Sequence, residues 1–191
     1  MYYVLCANWD ETTSSITSED STADGPFWRK GKIIGDEQDM SYLCFISETK
    51  HIKPFPDFSR DGNGCPVFSE KLKILFDRLG IDNVDYYPAE IIEFGENERT
   101  SGYYAANIIG LVKCMDYDAS EYEEDEDGLI DDIELLVIDE SAANNFPLFR
   151  LREMRNVILI HERYKELIED VGITGLQLVP TAEWDGYDGF K

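Results

Sequence analysis

The sequence predicts an α+β protein with a mixed or mostly antiparallel sheet. Three observations lead there. Apolar runs of strand length recur between turn residues along much of the chain. Two amphipathic helical stripes are each closed by a glycine and followed by a short strand that meets a proline. Hydrophobic residues make up 43% of the chain and aromatic residues 13%, enough to bury a sizeable core and to argue against disorder. With 191 residues, the chain fits one domain spanning 1–191. Residues 1–60 read as a β-rich N-terminal lobe and 61–191 as the α+β main body.

Tyr2 to Ala7 is an apolar run and reads as a strand. Residues 10–26 are rich in Asp, Glu, Ser and Thr, close on Gly25-Pro26, and read as a loop. Phe27-Trp28 and Lys32-Ile33-Ile34 read as short β pieces, and Met40 to Ile46 as a stronger strand. Pro54, Pro56 and the turn Asp61-Gly62-Asn63-Gly64 then break the chain. Ser69 is a good helix N-cap. Leu72, Leu75, Phe76 and Leu79 follow as one apolar stripe, and Gly80 stops the helix. Val84 to Ile92 reads as a strand in which Pro88 marks an edge or bulge. Tyr103 to Val112 reads as a second, central strand, and Ile130 to Ile138 as a third that alternates through Ile133, Leu135 and Val137. Phe146 to Leu151 is a short β piece. The second stripe is Tyr164, Leu167, Ile168 and Val171, stopped by Gly172, and Leu176 to Val179 is a strand ending at Pro180. The turn-rich tail from Trp184 to Phe190 is expected to fray.

The two helix–Gly–strand units resemble one another. A shift of 92 positions lays Phe68 on Ile160, Glu70 on Glu162, Lys73 on Lys165 and Leu75 on Leu167. It also lays Gly80-Ile81 on Gly172-Ile173 and Pro88 on Pro180. Duplication would produce this, and so would the generic demand that a helix lay one stripe on a sheet and turn back into it.

Charge narrows the function classes. The chain has 17 basic and 40 acidic residues, a net charge of −23. Such a surface repels nucleic acid and anionic membranes and favours a basic partner, although acidity also serves solubility alone. Cys6, Cys44, Cys65 and Cys114 form no C-x-x-C, so they suggest reduced thiols and neither a zinc site nor a redox motif. The opening Met1-Tyr2-Tyr3-Val4-Leu5-Cys6 lacks the pattern of a signal peptide, and no apolar stretch reaches transmembrane length. A cytoplasmic location is the expectation.

Catalytic motifs are absent: there is no G-x-x-x-x-G-K-[ST], no G-x-S-x-G and no H-E-x-x-H. The two histidines read as a loop residue, His51 beside Lys50 and Lys53, and a helix-start residue, His161. No enzyme activity, catalytic residue, metal or cofactor is expected.

The sharpest local feature is the run 116–134, which holds eleven carboxylates and no basic residue. It admits three readings. Glu123, Asp125, Asp127, Gly128, Ile130 and Glu134 fall at EF-hand loop positions, which suggests a calcium-responsive loop over 123–134. Against it, position 1 is Glu, and the segment after the loop alternates as a strand where an EF-hand needs a helix. The second reading is an acidic patch for a basic partner, formed by Tyr117, Glu121, Tyr122, Glu123, Glu124, Asp125, Glu126, Asp127 and Asp131. The third is a solvated acidic loop.

The order of segments resembles a known family, the immunity-protein family numbered eleven among bacterial polymorphic toxin systems, formerly a domain of unknown function. The likeness is carried by Tyr2-Tyr3-Val4-Leu5 and by Pro66 to Leu72 running on to Gly80-Ile81 and Val84 to Pro88. It continues through Tyr103 to Ile109, Cys114-Met115-Asp116 and Ser120-Glu121-Tyr122, and ends with Leu148 to Leu151, Ile158 to Ile160 and Gly172 to Leu176. The family pattern has Ser or Thr where this chain has His161, which touches a cap alone. The resemblance implies an immunity protein that binds and neutralises a cognate toxin of bacterial competition, with no catalytic motif to carry over. A small acidic binding module of other purpose is the alternative. If the toxin is a nuclease, its cationic substrate surface would suit an acidic inhibitor.

Overall fold

The computed structural model describes residues 1–8, 16–19, 25–47, 54–93, 95–184 and 186. In chain order the first half contains β1 (Tyr2–Ala7), β2 (Ile16–Ser18), β3 (Leu43–Ser47), β4 (Phe58–Arg60), β5 (Pro66–Ser69), α1 (Glu70–Arg78) and β6 (Val84–Ile92). Then come β7 (Arg99–Ile108), β8 (Leu111–Val112), β9 (Glu121–Glu124), β10 (Ile130–Leu135), α2 (Glu140–Ala143) and β11 (Leu148–Leu151). The chain closes with β12 (Ile158–His161), α3 (Lys165–Glu169) and β13 (Leu176–Pro180). The class is mixed α+β, rich in strands and poor in helix.

The strands form a five-stranded sheet, β13-β1-β12-β11-β8, a six-stranded sheet, β2-β3-β6-β7-β5-β4, and a separate ribbon of β9 and β10. Among the described residues two ladders are parallel, β3 beside β6 and β11 beside β8, and the other ladders are antiparallel. Strands from residues 1–60 enter both large sheets: β1 is an interior strand of one, and β2, β3 and β4 belong to the other. In each large sheet a strand–helix–strand unit straddles an antiparallel strand. β5, α1 and β6 enclose β7, and β12, α3 and β13 enclose β1.

Local chemistry explains these elements. Every residue of β1 is buried. Tyr3, Leu5 and Ala7 face the core between the sheets, and Tyr2, Val4 and Cys6 face the opposite side. A continuous apolar run is what a strand covered on both faces requires. Ser69 Oγ accepts the Leu72 N–H at 3.2 Å and so caps α1. Leu72, Leu75 and Phe76 of α1 then join Phe68, Ile108, Ile158, Ile160, Tyr164 and Ile168 in the central core. Pro88 falls one residue before the ladder with β3 begins at Ala89, where β6 pairs with β7 alone. Asp57 clasps the two halves. It accepts from Ser69 Oγ at 2.7 Å, Lys71 Nζ at 3.1 Å and the Thr174 N–H at 3.0 Å.

Several sequence expectations change. Phe27-Trp28 lies in a 3-10 turn, Pro26–Arg29, whose Trp28 is fully buried, and Lys32 to Ile34 is irregular. Ile16–Ser18 is a strand inside the segment read as loop. It is too short for alternation to show, but its Ile16 is buried. The run Tyr103 to Val112 is divided: β7 ends at Ile108, the chain turns at Gly110 (φ +128°), and β8 joins the other sheet. The second helical stripe is half core. Tyr164 and Ile168 are buried, while Leu167 and Val171 are 49% and 43% exposed, because a 3-10 turn precedes a five-residue α3. Most of the C-terminal tail lies outside the described residues, yet Trp184 is buried on the outer face of the five-stranded sheet.

Candidate partner-binding face

About half of the acidic run is β structure, and the rest forms turns before and between its two strands. Asp116 Oδ1 accepts the N–H groups of Asp118 and Ala119, each at 3.1 Å, which forms a turn after β8. β9 and β10 pair antiparallel. Between them Asp125 Oδ1 accepts from the Asp127 and Leu129 N–H groups at 2.9 and 2.8 Å, and Gly128 sits at φ +77° in open space. An Asx turn of this kind lets one carboxylate close a hairpin. Glutamate disfavours strands, so packing must hold the ribbon. Ile133 is fully buried opposite Tyr122, and both join Ile130, Phe149, Leu159 and Trp184 over the outer face of the five-stranded sheet.

All nine residues expected from the sequence fall on or beside this hairpin. Glu121, Glu123 and Glu124 are exposed on β9, and Asp125, Glu126 and Asp127 are exposed at its turn. Asp131 is exposed where the register shifts between Ile130 and Asp132. Tyr117 is 39% exposed and meets the half-buried Tyr122 edge to face, ring centroids 5.7 Å apart. Among the described residues none of these carboxylates forms an ion pair. Glu123 stands directly opposite Asp132, a like-charge pair that opposes strand pairing. Beside the acids, Leu129 is 66% exposed. An apolar tip within a charged surround is a feature of protein-binding surfaces.

The EF-hand pattern has no EF-hand frame here. Positions 123–134 run from one strand through a tight turn into another, and Asp125 Oδ1 is committed to that turn. Among the described residues no group of three or more His, Cys, Asp or Glu side chains is placed to hold a metal ion. His51 lies outside the described residues. His161 caps a 3-10 turn, its Nδ1 accepting the Arg163 N–H at 3.2 Å, and its pKa is lowered, first of all by burial. The four cysteines are buried and none is in a disulfide. Burial raises the Cys65 thiol pKa well above its ordinary value and that of Cys114 to about 12, so neither is a ready nucleophile.

The profile of an immunity protein family, Imm11, matches residues 3–183, nearly the whole chain. The chain belongs to the Imm11 immunity protein family. No curated protein matches it.

Sequence reasoning missed the part of this Imm11 protein that lies beside the hairpin. Arg150 sits in an otherwise apolar strand, where it read as a β residue, yet it is fully buried. Its guanidinium donates to the Arg155 carbonyl at 3.0 Å and the Gly64 carbonyl at 3.1 Å. Burial, with Arg60 nearby, lowers its pKa to about 9. Arg60 donates in turn to the Asn156 carbonyl. Two arginines thus hold the 152–156 turn against the β4–β5 turn from beneath. The signal available in the sequence was a charged residue inside the apolar run Leu148-Phe149-Arg150-Leu151, which demands buried acceptors. Among the described residues no helix is long and apolar enough to cross a membrane.

Proposed function

We propose that this Imm11 protein binds a cognate bacterial toxin in the cytoplasm and neutralises it by contact, with no reaction of its own. The β9–β10 hairpin supplies the contact. The observation that carries the reading is the exposed set of carboxylates from Glu121 to Asp131, which have no internal counter-ions among the described residues although one of them, Glu123, faces Asp132 across the ribbon. Charge held in place against its own repulsion supports a role outside the fold. A basic surface on the toxin would complement it, raise the encounter rate and fix orientation. A nuclease toxin would offer such a surface, because it must hold a polyanion.

The test is co-expression with the toxin encoded by the neighbouring gene. The protein should restore growth and co-purify with the toxin in a complex that weakens as salt rises. Replacing Glu123, Glu124 and Glu126 with Lys should abolish protection while leaving the circular dichroism spectrum intact. An acidic toxin, or a complex indifferent to salt, would refute the electrostatic reading. Failure of the wild-type protein to bind or protect would remove the immunity reading for this toxin.

A further inference from the structure

A groove of about 410 Å³ opens between the hairpin and the 152–156 turn. Lys113, Tyr117, Leu129, Arg152, Glu153 and Arg155 line it. Its size lies within the range of ligand sites, roughly 300 to 1,000 Å³. In a protein of net charge −23 with 17 cations, three of those cations gather in this one place, a few residues from the densest run of acids. Among the described residues none of the three forms an ion pair. Lys113 Nζ lies 5.2 Å from the centre of the Tyr117 ring. Glu153, the one acid in the lining, has its Oε1 engaged by the Met115 N–H at 3.2 Å, and its Oε2 is buried without a hydrogen-bond partner.

The cations stand on fixed backbone. The Arg152 N–H donates to the Val112 carbonyl at 2.8 Å, and the Val157 N–H closes the turn on the Met154 carbonyl at 2.9 Å. The buried Arg150 and Arg60 hold the Arg155 and Asn156 carbonyls from below. A binding site built on pinned backbone loses less entropy when it closes on a ligand.

We infer that this groove receives a carboxylate side chain of the toxin, carried on a segment whose neighbouring basic residues meet the acidic hairpin. The planar forks of Arg152 and Arg155 suit a carboxylate bidentately, and Tyr117 with the exposed Leu129 offers apolar surface to the stem that carries it. A free polyanion is disfavoured because the hairpin beside the groove repels it; a single carboxylate flanked by cations is not. The face is therefore bipolar and specifies alternation of charge in its partner, which rejects a protein that is merely basic. This inference rests on the toxin-binding reading above.

The experiment separates the two. Affinity for a catalytically inactive form of the toxin is measured for the wild type, for the Arg152→Glu/Arg155→Glu variant and for the Arg152→Gln/Arg155→Gln variant, with thermal melts as the check on folding. The glutamate variant makes the protein more acidic. Long-range attraction to a basic toxin would then tighten binding. A groove that takes a carboxylate predicts the opposite sign, a loss of about ten-fold or more, with the glutamine variant between it and the wild type. Equal or tighter binding by the glutamate variant overturns the inference and leaves the immunity reading standing. If the wild type itself does not bind, the groove is probed by NMR with the peptide acetyl-Ala-Glu-Leu-Ala-amide, its Gln counterpart and inorganic phosphate. Shifts at Arg152, Arg155 and Tyr117 with the Glu peptide alone support the inference. No shift at millimolar peptide, or shifts with phosphate alone, overturn it.

Discussion

Glu123→Lys should stabilise the folded protein and weaken its hold on the toxin. Glu123 faces Asp132 directly across the β9–β10 ribbon, and both are carboxylates. A favourable cross-strand charge pair contributes about 0.2 to 1 kcal/mol, and like charges directly opposite are unfavourable. Reversing one sign removes the repulsion and adds an attraction. Because Glu123 is exposed, solvent keeps the result at the lower end, about 0.5 to 1 kcal/mol. For a chain of this size that corresponds to a rise in Tm of about 1 to 4 °C. The assay is thermal unfolding of wild type and variant at low salt and again near 1 M salt, where the screening length falls to about 3 Å and the gain should shrink. Toxin affinity measured on the same samples should fall. A drop in Tm at low salt, or a gain that salt does not touch, would refute the repulsion argument. An unchanged affinity would refute the hairpin as contact surface.

Three further outcomes follow from the same structure. Ile133→Ala should cost about 2 to 5 kcal/mol in urea unfolding, since Ile133 is fully exposure-free beneath the hairpin, and a cost under about 1 kcal/mol would mean the ribbon is not held by that contact. The Asp57 carboxyl is raised by burial but lowered more by hydrogen bonds from Thr174, Ser69 and Lys71, so its folded pKa lies below the ordinary value. Its contribution is therefore present above pH about 4, where the unfolded carboxyl is ionised, and is lost as pH falls through the lower folded pKa; unfolding followed from pH 5 down to 2 should show an acid limb that Asp57→Asn flattens. Gly175→Ala should be far more damaging than Gly172→Ala. A Cβ at Gly175 would lie 2.3 Å from the Phe58 carbonyl oxygen, whereas one at Gly172 meets nothing within 4 Å and costs only the strain of φ +64°, about 1 to 2 kcal/mol; equal melting temperatures for the two variants would contradict this.

The sequence by itself determined the elements whose signals are local. A continuous apolar run made β1 a strand covered on both faces, Ser69 and Gly80 bounded α1, and Val84 to Ile92 read correctly as β6 around its proline. It also determined that a dense set of carboxylates sits in one stretch, since charge is additive along the chain. What it left undecided depends on partners distant in sequence. Glutamate-rich β9 becomes a strand only because Tyr122 and Ile133 pack together over the five-stranded sheet, a contact no local propensity encodes. The run Tyr103 to Val112 looks uniform, but Gly110 hands it from one sheet to the other. The cationic groove draws Lys113, Leu129 and Arg155 from separate segments, and the buried Arg150 that holds its floor finds Gly64, 86 positions away. Charge and periodicity act on neighbours in sequence, whereas a site is assembled from neighbours in space, and only the packed sheets bring those together.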